Sequence, residues 1–337
     1  MATIRKVGLS MQYCMRRTLP VLVAVATFLT ACSDTNDGDE SGLAPALWGE
    51  IRQIEITVDE LVFDAIAAGP ATGEPVMLLH GFPSTSHQFE HQVRALGAAG
   101  YYAVAPDQRG YSPRARPATI EQYSVQYLVE DVIAMADQLG FERFHLVGHD
   151  WGANVTWAVG GNHPERLISL NPISVPHPLA FAQALLDSNS DQAQRSSYIE
   201  FFQTPNSQDL LLANDAQLLR AIYSGVDEED IAVYLAALGT PDALSAALNW
   251  YRALTFGSSL VVSQIDLPTM FIWSDEDAAL GPDGAMLTVN FVDGPYEFEI
   301  LEGVNHWVTD IAPEAVSRLL LQHINTYSER SDYPGGD

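Results

Sequence analysis

Short apolar or alternating runs recur along this chain: "IEITV" from 54, "LVFDAIA" from 61, "PVMLLH" from 75, "YYAVAP" from 101, "FHLVGH" from 144, "LISLNPI" from 167, "TMFIW" from 269 and "YEFEIL" from 296. Runs of this length bounded by Gly, Pro and Asp predict strands. Helical periodicity separates most of the later ones, as in "QYLVEDVIAMADQLG" from 126 and "PEAVSRLLLQHINTY" from 313. Two hairpin-like strands followed by alternating β and α units imply an α/β fold, a mostly parallel sheet covered on both faces.

One interval breaks the alternation. Residues 178–256 read as helix throughout ("FAQALLDSN", "SQDLLLANDAQLLRAIYSG", "EEDIAVYLAALGT", "DALSAALNWYRAL"). Because strand-like pattern returns at 269, this is an all-helical lid inserted into one domain. The expected core is 48–177 plus 257–330, with the lid over the carboxyl edge of the sheet, where such folds place their sites.

The first residues are set apart from this globule. "MQYCMRRTLPVLVAVATFLTAC" carries Arg16 and Arg17, an apolar run from Leu19 to Ala31, and small residues before Cys32. That run is shorter than the roughly 18 residues a spanning helix needs, so 1–31 reads as an export signal. Leu29-Thr30-Ala31-Cys32 resembles the lipobox of bacterial lipoproteins, which makes Cys32 the predicted lipidation site. Ser33 after it favours the outer membrane over inner-membrane retention. Met11 is an alternative start. Residues 32–47 are acidic and rich in Gly and Ser, a flexible tether between lipid and enzyme.

Charge and cysteine content narrow the partners. Of 16 basic residues four lie in the leader, leaving 12 against 43 acidic ones. So acidic a surface repels nucleic acid and anionic lipid. With the two cysteines at 14 and 32, the fold has no disulfide available. The membrane is expected as a partner only through Cys32; the oligomeric state is not legible.

The chemistry centres on Gly148-His149-Asp150-Trp151-Gly152. A buried strand precedes it, a helix pattern follows, and the Gly-x-nucleophile-x-Gly spacing is that of a strained strand-to-helix elbow. Here Asp150 stands where serine is usual. At a helix N-terminus the dipole favours its ionised form, and an immobile carboxylate is a poor base but a usable nucleophile towards a saturated electrophilic carbon. Downstream, the loop after one strand offers Asp275, Glu276 and Asp277, and the loop after the last offers His306; a carboxylate on one ring nitrogen leaves the other basic. The His80-Gly81 turn can aim the N–H of Phe82 at the elbow, joining the N–H of Trp151 as an oxyanion hole. No phosphate loop or metal-ligand spacing is present, and no cofactor or metal is expected.

Together "HGFP" (80–83), "DQRGY" (107–111), "GHDWG" (148–152), the acid after "IWSDED" and "NHW" (305–307) resemble the α/β-hydrolase epoxide hydrolases and their haloalkane dehalogenase relatives, over about residues 50–325. The resemblance implies an α/β-hydrolase fold and a triad of Asp150, Asp277 and His306. It also implies two lid tyrosines that bind the epoxide oxygen: Tyr198, four residues before a Phe-Gln pair, and Tyr251 in "NWYR". The implied activity is opening of a small apolar or amphipathic epoxide through an alkyl ester on Asp150. Dehalogenation is the alternative. Phe82 stands where haloalkane dehalogenases often carry a halide-binding asparagine, and Trp151 where haloacetate dehalogenases carry arginine, so both relatives fit less well. "RGYSPRARP" and "GVNHW" depart from the commoner "RGYG" and "GHW". A catalytically silent binding lipoprotein on the same scaffold is the third reading.

Overall fold

A computed structural model describes residues 3–8, 47–254 and 261–330. Among these residues nine strands form one sheet: β1 (Thr3–Gly8), β2 (Arg52–Val58), β3 (Leu61–Ala68), β4 (Pro75–Leu79), β5 (Tyr102–Pro106), β6 (Phe144–His149), β7 (Leu167–Ile173), β8 (Thr269–Ser274) and β9 (Tyr296–Glu302). Their order is β1-β9-β8-β7-β6-β4-β5-β3-β2. β2 pairs antiparallel with β3 and β3 with β5; the remaining neighbours are parallel. Each apolar run of the sequence thus becomes a strand.

Every residue of β5 through β8 is buried, so these strands show no exposed polar face, and their polar residues His145, His149, Ser169, Asn171, Thr269 and Ser274 are buried as well. The faces are still divided by the two-residue period. In β4, Val76 and Leu78 enter the cluster beneath α1 (Glu90–Ala98). Met77 and Leu79 face the opposite layer with α2 (Val125–Gln138) and α3 (Trp151–Asn162).

Six helices lie between β7 and β8 among the described residues: α4 (Pro178–Leu186), α5 (Gln192–Arg195), α6 (Tyr198–Phe202), α7 (Ser207–Ile222), α8 (Glu228–Leu238) and α9 (Pro241–Ala253). α7 is broken at Ala213–Ala216, where Asn214, Asp215 and Ala216 take left-handed φ of 52 to 59°. After β8 come α10 (Pro282–Leu287), α11 (Val308–Ile311) and α12 (Pro313–Tyr327), the last packing beside α1. The inserted helices are seated on the core by directional bonds. The Tyr223 hydroxyl donates to the Pro83 carbonyl (2.6 Å), Trp307 Nε1 to the Ile222 carbonyl (2.8 Å) and Trp250 Nε1 to the Arg109 carbonyl (2.8 Å).

Residues 3–8, which hydropathy sets apart from the globule, form β1 and extend the sheet beside β9. Backbone hydrogen bonding to an open strand edge does not require an apolar pattern, so composition gave no sign of it. The apolar leader segment, Cys14, Cys32 and the tether to residue 46 lie outside the described residues. No single helix among the described residues is long and apolar enough to cross a membrane.

Candidate active site

The elbow is built by two close approaches. A Cβ on Gly148 would lie 2.2 Å from the Gly152 carbonyl oxygen, and one on Gly152 would lie 1.9 Å from the Leu79 carbonyl oxygen of β4. With both side chains reduced to hydrogen, α3 starts directly against the sheet. Asp150 is forced into φ 51°, ψ −120°, a strained conformation for a non-glycine residue and one that recurs at functional sites.

Strain places the carboxylate under two backbone donors. Asp150 Oδ1 accepts the N–H of Phe82 at 2.8 Å, and the N–H of Trp151 also serves the carboxylate. The His80-Gly81 turn reaches it because a Cβ on Gly81 would sit 2.4 Å from the Asp150 Cβ. Helix position alone predicts an easily ionised group; burial is the larger effect and pushes the Asp150 carboxyl above the ordinary value, opposed by His306 and the two N–H groups.

His306 stands on the loop after β9. Its Nδ1 meets Asp277 Oδ2 at 2.8 Å and its Nε2 lies 3.7 Å from Asp150 Oδ2. The other Asp277 oxygen accepts the N–H groups of Ala279 (2.8 Å) and Leu280 (3.0 Å). Burial works against the charge on Asp277, yet its pKa is held below the usual carboxylate range by His306 and these donors. Burial also works against protonated His306, but the charges of Asp277 and Asp150 raise its pKa to about 9. The neighbouring acids do not compete: Asp275 accepts the N–H of Gly303 and, like Glu276, is exposed.

Tyr198 and Tyr251 arrive from α6 and α9, with ring centroids 6.3 Å apart. Tyr251 stands edge-on to Phe82 and to Trp151, each at 5.2 Å. Burial, then the Asp150 charge, raises both phenol pKa values, so both hydroxyls keep their hydrogens. Two cavities of about 250 and 240 Å³ meet here, sharing Asp150, Tyr198 and Tyr251. One arm is walled by Val175, Pro178, Phe181 and Ile199; the other by Phe82, Phe202, Ile222 and Trp307, with His306 opening onto it. An apolar molecule with a polar centre fits such walls.

A family model described as alpha/beta hydrolase fold matches residues 74–311. The chain belongs to the α/β-hydrolase fold family. Within it, the sequence is 31% identical over 290 residues to epoxide hydrolase 4 of Mus musculus, covering 82% of this chain and 80% of that protein. It is 29% identical over 299 residues to epoxide hydrolase A of Mycobacterium tuberculosis, with coverages of 77% and 92%. The crystal structure of a Bacillus megaterium epoxide hydrolase in complex with an inhibitor matches with a TM-score of 0.74 and 26% identity, over 81% of this chain and 100% of that one. This α/β-hydrolase is therefore an epoxide hydrolase-like enzyme.

Sequence reasoning overlooked two polar residues behind the site. His149 occupies a variable position of the Gly-x-nucleophile-x-Gly spacing, and Gln88 belongs to no motif; both are almost fully buried and hydrogen-bonded to each other.

Proposed function

We propose that the enzyme opens epoxides to vicinal diols through a covalent alkyl ester on Asp150. The observation that carries this reading is a carboxylate with backbone donors behind it and two protonated tyrosines across a shared apolar cavity. In the first step Asp150 attacks an epoxide carbon, the C–O bond breaks, and Tyr198 and Tyr251 support the oxygen, which ends as a hydroxyl. In the second, neutral His306, oriented by Asp277, takes a proton from water as it adds to the ester carbonyl. The N–H groups of Phe82 and Trp151, which face the carboxylate in the resting enzyme, hold the resulting oxyanion. Collapse releases the diol and returns the Asp150 carboxylate.

The proton count closes. Resting His306 is charged between two carboxylates; esterification of Asp150 removes one of them and lowers the histidine's pKa. The proton His306 loses balances the one the opened oxygen gains, and the one it takes from water restores the resting state.

The test is intact mass of a His306→Gln variant after exposure to styrene oxide and, separately, to 1-bromobutane. A stable adduct on Asp150 from the epoxide is expected. Adduct from the bromide alone favours dehalogenation, and none from either reagent removes the covalent mechanism.

We also propose that lipid at Cys32 holds the enzyme on the cell envelope. Cleavage there removes β1 and leaves β9 as a sheet edge. Glu299 of β9 suits that fate: covered by β1 its carboxylate has no hydrogen bond among the described residues, with Arg5 at 3.9 Å, and burial raises its pKa. Charges on an edge strand discourage sheet-to-sheet pairing. Mass measurement of the mature protein from membranes, with Cys32→Ser as control, is expected to show a lipidated N-terminal Cys32; a chain retaining residue 3 rejects the anchor.

A further inference from the structure

Gln88 sits in a single 3-10 turn, Ser86–Phe89, between the His80-Gly81 turn and α1, and is 2% exposed. It touches neither cavity, yet its amide joins the two halves of the hydrolytic apparatus. Gln88 Oε1 accepts the N–H of Gly81 (3.2 Å), and Gln88 Nε2 lies 3.0 Å from His149 Nδ1. His149 Nε2 lies 2.9 Å from the His306 carbonyl oxygen, and the two imidazoles are 4.7 Å apart between centroids. The amide also hydrogen-bonds to Asp310.

Each link has only one possible direction. The His306 carbonyl can only accept, so His149 carries its hydrogen on Nε2. Its Nδ1 then presents a lone pair and must receive a hydrogen, which Gln88 Nε2 supplies. That turns Gln88 Oε1 towards Gly81, whose N–H can only donate. Burial, followed by the charge of His306, lowers the His149 pKa to about 3, so the ring is neutral as this pattern requires.

We infer that Gln88 is a positioning residue which, through His149, keeps the Phe82 turn and the backbone of His306 in register for hydrolysis of the ester. The inference rests on the epoxide reading above. It assigns Gln88 to the second step in particular. Gly81 precedes the oxyanion donor Phe82, and His306 is the base, whereas Tyr198 and Tyr251, on which ring opening depends, make no hydrogen bond among the described residues to Gln88, His149 or His306. Losing the Phe82 donor from the resting carboxylate leaves Asp150 no less nucleophilic. Misplacement of reacting groups by an ångström can cost on the order of 100-fold.

Rapid-quench kinetics with styrene oxide, with intact mass taken during turnover, separate ester formation from ester hydrolysis. Gln88→Leu is expected to slow hydrolysis by about 10- to 100-fold while ester formation stays within about 3-fold, so that alkyl-enzyme accumulates. Gln88→Glu, the same length and polar, is expected to shift the steps the same way, since a carboxylate faces the His149 lone pair and Asp310. His149→Phe breaks the chain at its other link, and the double variant with Gln88→Leu should be no slower than the worse single one. Equal slowing of both steps, or unchanged hydrolysis in folded Gln88→Leu and Gln88→Glu, overturns the assignment. Wild-type enzyme that yields neither adduct nor diol overturns the epoxide reading itself, and this one with it.

Discussion

His306 Nε2 lies 3.7 Å from Asp150 Oδ2, near enough for strong charge coupling and too far for a hydrogen bond. The base is thus tied to Asp277 and coupled to Asp150 through charge alone. Neutralising Asp150 removes one of the causes that lift His306 to about 9. In NMR titrations the Asp150→Asn variant, which copies the charge of the ester, is expected to show a lower His306 pKa than wild type. Hydrolysis of the alkyl-enzyme should then speed up with rising pH around a midpoint below 9. An identical His306 titration in both proteins contradicts the coupling.

The tyrosines act at the other step. Removing one preorganised donor to a developing oxyanion typically costs 10²- to 10³-fold, and two phenols share this oxygen. Tyr251→Phe and Tyr198→Phe are each expected to slow ester formation by about 10- to 100-fold, with the double variant far slower. Hydrolysis of any ester formed should hold its wild-type rate. A loss that falls on hydrolysis instead would move these residues out of the ring-opening role.

Much of the fold and the candidate site was legible because local sequence determines it. Strand runs report burial between two helical layers, and Gly148 and Gly152 report the contact of α3 with the sheet. Of the three acids offered by the loop after β8, resemblance selected Asp277; its burial and two backbone donors supply the physical reason. What escaped depends on distant contacts. Gln88 acquires its part from His149, 61 residues away, and the two-armed cavity depends on how α4, α6 and α9 settle over the sheet. β1 escaped because edge pairing leaves no hydrophobic signature.

The glycines around Asp150 should fail in different ways. A Cβ on Gly81 meets mainly the Asp150 side chain, at 2.4 Å from its Cβ and 2.6 Å from Oδ1. Gly81→Ala should therefore displace the carboxylate, losing activity by on the order of 100-fold at about 1–3 kcal/mol in stability. A Cβ on Gly152 meets backbone of β4, with the Leu79 carbonyl oxygen at 1.9 Å. Gly152→Ala forces α3 off the sheet, and a cost of about 4 kcal/mol or more is expected. Urea melts beside activity assays check both, and a folded, active Gly152→Ala protein would refute the packing argument.

Acid should unfold this protein through its buried histidines. Burial lowers His323 to about 3 and His177 to about 4, and His149 to about 3. His323 Nδ1 bonds Asn171 Oδ1 at 2.7 Å, while its Nε2 is buried without a partner among the described residues. A depressed folded-state pKa means the unfolded chain binds the proton first, so the stabilisation is complete above about 6.5 and shrinks as pH falls towards 3. Asp310 acts oppositely. Burial raises it to about 6 from 3.8, so it favours the fold as pH drops between those values. His80 and His145 are depressed by burial like these three, while burial raises Asp131, Asp150 and Glu299 as it does Asp310, and each group can contribute a slope of up to about 1.4 kcal/mol per pH unit. Comparing His323→Leu with wild type isolates one of them. The stability of wild type relative to the variant, from urea melts at pH 7, 6, 5 and 4, should fall as pH falls; a difference that stays constant means that His323 is not held neutral by burial.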